Sequence, residues 1–133
     1  SLWSRDSHDQ PQGVFSHETA LSIYELSDVM PSKVHMTVPK TFRKWAKTPK
    51  ALLLHYQTLE KSEIQNWEGV AVTKPLRTIL DLMKEGKTSM EFIEQAFVEG
   101  VKRGLIPIHT KGVDEETKKT FQAWLKHNRK LRG

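Results

Sequence analysis

Histidine is the side chain in this sequence best suited to chemistry near neutral pH, and the chain has six: His8, His17, His35, His55, His109 and His127. An imidazole can move a proton or hold a metal ion. A helical zinc site places two histidines four residues apart, often within His-Glu-x-x-His, and no two of the six have that spacing. The chain has no cysteine, which removes thiolate zinc sites, iron–sulfur clusters, disulfides and cysteine nucleophiles together. Neither a metal nor a cofactor is therefore expected. Gly-x-Ser-x-Gly, the phosphate-binding P-loop and Gly-x-Gly-x-x-Gly are all absent. A nuclease of the Asp/Glu-x-Lys kind needs carboxylates on a strand with a lysine two residues on; the expected second strand has none, and Glu60-Lys61 falls in a loop. The residues predict no catalytic group, so the chain reads as a non-enzyme. His35 and His55 fall on expected strands and read as surface or packing residues. Arg77 and Asp81, four apart on an expected helix, read as an ion pair worth a few tenths of a kcal/mol if exposed. If partly buried, the pair would tie the helix to the sheet.

Charge is the second source of possible chemistry. The net +5 is unevenly made. Residues 1–32 carry −4, residues 51–113 balance, and residues 114–133 carry +3, with Asp114, Glu115 and Glu116 ahead of the cations. Residues 33–50 hold Lys33, Lys40, Arg43, Lys44, Lys47 and Lys50 with no acid, interleaved with Phe42 and Trp45. Such a block can bind nucleic acid, because each phosphate it neutralises releases counterions. It can equally be a solvated, lysine-rich loop. Lysine outnumbers arginine there, which favours attraction to the phosphate backbone over reading of bases.

The elements that would position these groups are legible in outline. The 133 residues, 37% hydrophobic and 28% charged, suit one soluble domain. No apolar run reaches the length of a membrane-spanning helix, and the first residues lack a signal peptide's apolar stretch, so a cytoplasmic protein is expected. Residues 1–12 read as a polar lead-in and 13–133 as the domain. Ser16 is an expected N-cap for a helix over 17–27, closed by Pro31. Val34-His35-Met36-Thr37-Val38 alternates as a strand with Val34, Met36 and Val38 inward. Residues 40–50 form the basic loop. Residues 51–58 read as a second strand, apolar on both faces and so central in its sheet. Residues 59–68 read as loop or short helix, and Val70-Ala71-Val72 as a third strand.

Thr73 is an expected N-cap, with Pro75 in the first turn and Gly86 closing the helix. Thr88-Ser89-Met90-Glu91 predicts a capping box for a helix ending at Gly104. Acids at 114–116 and cations at 126–132 suit the two ends of a last, longest helix with Phe121, Trp124 and Leu125 inward. The sum is an α+β fold: a small sheet of about three strands packed with three to four helices, the C-terminal half mostly helical.

Two stretches in order carry a resemblance. The first runs from Gly13-Val14-Phe15-Ser16-His17-Glu18 through Leu26-Ser27-Asp28 to Pro31 and the strand ending at Pro39. The second is Gly69-Val70-Ala71-Val72-Thr73-Lys74-Pro75-Leu76-Arg77-Thr78-Ile79-Leu80-Asp81-Leu82, with a tail at Phe97, Gly100, Arg103, Gly104, Leu105 and Ile106. Together they resemble the AbiEi-like antitoxins and transcriptional regulators of bacterial type IV toxin–antitoxin systems, known from abortive infection. Either motif alone is weak; the ordered pair spans about residues 13–106. The resemblance implies a regulator whose N-terminal winged helix binds the operon promoter. Its second domain opposes a nucleotidyltransferase-like toxin indirectly. Only about twelve residues precede Gly13, so this chain is expected to match the second domain, with residues 1–12 at most the trailing end of a winged helix. Ser16, His17, Thr73, Pro75, Arg77 and Asp81 are the motif residues expected to serve structure. Lys40, Arg43, Lys44, Lys47 and Lys50 are the expected DNA contacts. Two readings compete: a protein-interaction module that does not bind DNA, and a nuclease-related enzyme.

Overall fold

The computed structural model describes residues 13–42, 49–108 and 112–131; the lead-in at 1–12 lies outside them. The chain is α+β, and the described residues form a mixed five-stranded sheet and four helices. In order these are β1 (Val14–Phe15), α1 (His17–Tyr24), β2 (Val34–Val38), β3 (Leu52–Tyr56), β4 (Ile64–Trp67), β5 (Val70–Thr73), α2 (Pro75–Glu85), α3 (Met90–Lys102) and α4 (Glu115–Leu131). A 3₁₀ turn, Lys61–Glu63, leads into β4. The strands run in the order β3-β2-β1-β5-β4. β2/β3 and β1/β5 are parallel, and β1/β2 and β4/β5 are antiparallel.

Two strands beyond the expected three appear, each for a local reason. β1 is only two residues long and too short to show a period, yet it sits at the centre of the sheet, paired on both sides. β4 reads Ile-Gln-Asn-Trp, apolar at the ends and polar between, so neither periodicity marks it. The hairpin to β5 is made by Glu68 and Gly69, both with positive φ (50° and 89°). That pair of left-handed residues is the twist a two-residue hairpin favours, and the Asn66 carboxamide oxygen accepts the Gly69 N–H at 3.1 Å.

β2 has the expected bounds but not the expected faces. Val34, at the strand's entrance, is 40% exposed, whereas Thr37 is buried alongside Met36 and Val38. Thr37 lies over the start of α1, where its hydroxyl donates to Ser16 Oγ at 2.8 Å. β3 is at the sheet edge, not its centre. Its leucines are half-buried and Tyr56 is exposed, so the apolar run does not mark a strand with neighbours on both sides.

The helix ends also shift. Ser16 does precede α1, but by backbone alone: its carbonyl accepts the Ala20 N–H at 3.2 Å and its side chain makes no capping bond. α1 stops at Tyr24, short of residue 27, because Glu25 turns left-handed (φ 57°). The Arg103 guanidinium then donates to the Tyr24 carbonyl at 2.8 Å. The N-cap of α2 is Lys74 rather than Thr73, which finishes β5; Pro75 opens the helix and Gly86 (φ 72°) closes it, as expected. Ser89, not Thr88, caps α3, since the Thr88 hydroxyl is committed to Glu18. α4 is the longest helix, 17 residues.

The core is built from Leu21 and Tyr24 of α1, Ile79 and Leu82 of α2, Ile93 and Phe97 of α3, and Phe121 and Trp124 of α4. Phe97 and Phe121 stack with ring centres 4.1 Å apart. Helix α1 packs on β2, α2 packs on α1, α3 on α2, and α4 on α3. Among the described residues no helix is long and apolar enough to cross a membrane.

Candidate functional site

Parallel pairing of β2 with β3 sets Thr37 opposite His55 and His35 opposite Leu53. His35, Thr37 and His55 thus share one face of the sheet, since side chains alternate along a strand. The same face meets the first turn of α1, where the Thr19 hydroxyl accepts the His35 N–H at 2.7 Å. His17, the first residue of α1, is carried into this meeting point. The three imidazoles form a stack: His17 and His55 have centroids 3.6 Å apart and planes 11° apart, and His35 lies 5.2 Å from His55. Glu85, at the end of α2, brings its carboxylate to 3.8 Å from His55 Nδ1.

The rings are held from behind. His17 Nδ1 lies 2.8 Å from Ser16 Oγ, which itself accepts from Thr37. His55 Nε2 lies 2.9 Å from His35 Nδ1. His17 is buried and adopts a left-handed backbone (φ 55°). Such a conformation costs of order 1–3 kcal/mol in a side-chain-bearing residue and persists only when its surroundings enforce it.

Burial, with His55, His35 and Arg77 nearby, lowers the His17 pKa to about 3. Burial, with His35 and Lys87, lowers that of His55 to about 4. Burial also lowers His35, though Glu18 and Glu85 oppose it. All three rings are therefore neutral at pH 7, each with one nitrogen lone pair. His35 and His55, read from the sequence as surface or packing residues, and Glu85, not singled out at all, belong to this cluster. No spacing signals it, because the three histidines come from three different elements.

The motif residues of the second stretch build an adjacent structural network. Thr73 Oγ1 and Thr78 Oγ1 are 2.6 Å apart and buried, and Thr78 also donates to the Lys74 carbonyl at 2.9 Å. Arg77 Nε donates to Asp81 Oδ1 at 2.9 Å, and its Nη1 is paired with Glu63 ahead of β4. The Arg77 side chain is 18% exposed and that of Asp81 6%; both stand on α2, and the Arg77–Glu63 contact is what joins that helix to the turn before β4. Burial raises the Asp81 pKa against the pull of Arg77, and its Oδ2 has no hydrogen-bond partner among the described residues. Gln95 explains the Ser27-Asp28 stretch: its Oε1 accepts from the Ser27 hydroxyl and the Asp28 N–H, and its Nε2 donates to Asp28 Oδ2.

The expected DNA contacts lie on the connector from β2 to β3. Lys40 and Lys50 are exposed, as is Lys33 just before β2. The Val34 N–H donates to the Ala51 carbonyl at 2.7 Å, which sets the backbones beside Lys33 and Lys50 together. Arg43, Lys44, Trp45 and Lys47 lie outside the described residues.

No family model matches the chain, and no curated protein is similar enough to match it.

Proposed function

We propose that this chain is a non-catalytic regulatory domain that associates with DNA through the connector between β2 and β3. The supporting observation is the placement of charge. The link from Val38 to Leu52 carries Lys40, Arg43, Lys44, Lys47 and Lys50 with no acidic residue, and its two described ends project lysines into solvent at the edge of the sheet. A parallel strand pair needs such a crossover, so the fold presents this segment whatever its composition, and the composition suits phosphate. The two-motif resemblance extends the proposal. The DNA is an operon promoter, the cellular role is that of a type IV antitoxin-like regulator in a bacterial cytoplasm, and the toxin it opposes is nucleotidyltransferase-like.

The test is fluorescence anisotropy with a labelled duplex at several salt concentrations. Affinity should fall with salt at a slope of roughly −0.9 per phosphate neutralised, hence about −4 if most of the block engages. Changing Arg43, Lys44 and Lys47 together to Glu should abolish association. Unchanged binding in that variant would overturn the connector assignment. No binding at low salt, with a protein partner captured instead, would favour the interaction-module reading.

A further inference from the structure

We infer that His17, His55 and Glu85 form a binding site for a late first-row divalent metal ion of the zinc class. Three elements that are distant in sequence, the start of α1, strand β3 and the end of α2, bring one donor atom each to within 4.8 Å of one another. The donor set, two imidazoles and a carboxylate, is one that zinc and its neighbours accept. Magnesium and calcium prefer all-oxygen sites, so these hard ions do not fit.

The surroundings of the rings strengthen the assignment. A ligating histidine almost always uses its second nitrogen in a hydrogen bond that fixes its orientation and tautomer. Both imidazoles have that bond. His17 Nδ1 is engaged by Ser16 Oγ, which leaves Nε2 for a metal. His55 Nε2 is engaged by His35 Nδ1, which leaves His55 Nδ1, the atom that faces Glu85. When His55 Nε2–H donates to His35, the lone pair of His55 falls on Nδ1. His35 is thus a positioning residue for His55.

Coordination requires a defined movement. Parallel rings 3.6 Å apart direct their lone pairs side by side, whereas an ion about 2.0–2.1 Å from both nitrogens needs the lone pairs to converge. The two rings must fan apart from their 11° arrangement. The backbone positions, including the left-handed His17, already bring the side chains together. Three protein donors leave a fourth tetrahedral position open to water or to a further ligand.

The inference is independent of DNA binding, because it uses strand and helix side chains and none from the connector. Its test is titration of chelator-treated chain with zinc, followed by calorimetry and melting temperature, and with cobalt, followed by visible ligand-field absorption. One ion per chain should bind, with a rise in melting temperature from preferential binding to the folded state. Glu85→Gln and His55→Gln should each remove or strongly weaken binding. His17→Asn should do the same while keeping a residue that tolerates the left-handed backbone. His35→Gln should weaken binding by about 10–100-fold without changing the stoichiometry, the usual cost of losing an outer partner.

His127→Ala, on α4 beside Glu94, should change nothing. Circular dichroism checks the fold of each variant, and the half-buried Glu85 decides the matter if a histidine variant unfolds. Absence of zinc binding by folded wild-type chain would overturn the assignment. So would binding that survives Glu85→Gln and His55→Gln, or that is lost on His127→Ala.

Discussion

Gly100 is buried in the last turn of α3, and replacing it with alanine separates two effects of opposite sign. In a helix interior the change from glycine to alanine is worth up to about 1 kcal/mol in favour of folding. At this position the added Cβ would lie 2.5 Å from Ile106 Cδ1 and 2.9 Å from Ile106 Cγ1, well inside van der Waals contact. A flexible side chain at the surface would swing away. Ile106 is 2% exposed, and its backbone cannot slide off, because the Leu105 and Ile106 N–H groups both donate to the Gly100 carbonyl, at 2.8 and 3.1 Å. Overpacking of this kind costs about 1–3 kcal/mol. At a 2.5 Å approach to a side chain that is held in place the cost falls in the upper part of that range, about 2–3 kcal/mol, so Gly100→Ala should be destabilising by about 1–2 kcal/mol after the propensity gain is subtracted. Urea unfolding should show a lower midpoint at an unchanged slope. Ile106→Val removes the closest atom, at a cost of about 0.5–1.5 kcal/mol on its own. In that background Gly100→Ala should cost at least about 1 kcal/mol less, a coupling that a double-mutant cycle reads directly. A Gly100→Ala protein as stable as wild type, or an equal cost in both backgrounds, would refute the reasoning.

Two further outcomes follow from buried polar contacts. Tyr24→Phe removes a hydroxyl that donates to the Thr73 carbonyl and accepts from Gln65 Nε2, both at 2.8 Å; because Thr78 also donates to that carbonyl, the loss should be about 1–1.5 kcal/mol in chemical denaturation, and no loss would mean the Tyr24 hydroxyl is idle. Glu63 is pushed up by burial but pulled further down, below 4.5, by the Glu60 N–H and Arg77. A depressed folded pKa contributes stability above the unfolded value. The stability advantage of wild type over Glu63→Gln should therefore be full above pH 4.5 and shrink as pH falls through the lower folded value. A difference that grows on acidification would contradict this.

The parts of the fold legible in the sequence are those whose signal is local. The stripe Leu76, Ile79, Leu80 and Met83 with Pro75 before it and Gly86 after it defines α2 with no reference to the rest of the chain. β2 alternates over its whole length and keeps its expected bounds. What the sequence hides depends on partners. β1 and β4 are strands because of what they pair with, not because of their own pattern. Thr73 and Thr88 look like caps, but each hydroxyl has a distant or tertiary partner, Thr78 and Glu18, and the cap moves one residue on in both cases. Ser16 keeps its place before the helix yet spends its hydroxyl on Thr37 and His17. Short polar side chains bond whatever donor or acceptor tertiary structure brings near, so cap prediction fails first where the helix start is buried.

The histidine cluster is illegible for a deeper reason. Spacing reveals a ligand set only when the ligands share one element, as two histidines on a helix do. Here His35 and His55 are separated by twenty residues, a distance set by the length of a basic crossover and unrelated to any helical or strand period. Their meeting depends on the register of a parallel pair. A shift of that register by one residue would turn the His55 side chain to the opposite face, with every composition and spacing unchanged. His17 joins them because Ser16 donates its N–H to the His35 carbonyl at 3.1 Å, and Glu85 joins because α2 packs on α1. Each of these contacts is non-local. The nearest thing to a sequence signal is the Ser-His pair at the start of α1, where a histidine in the first helical turn follows a residue whose side chain does not cap. The site is thus a product of topology, and the motif residues Thr73, Pro75, Arg77 and Asp81 bear on it indirectly, by fixing the helix that carries Glu85 against the sheet that carries His35 and His55.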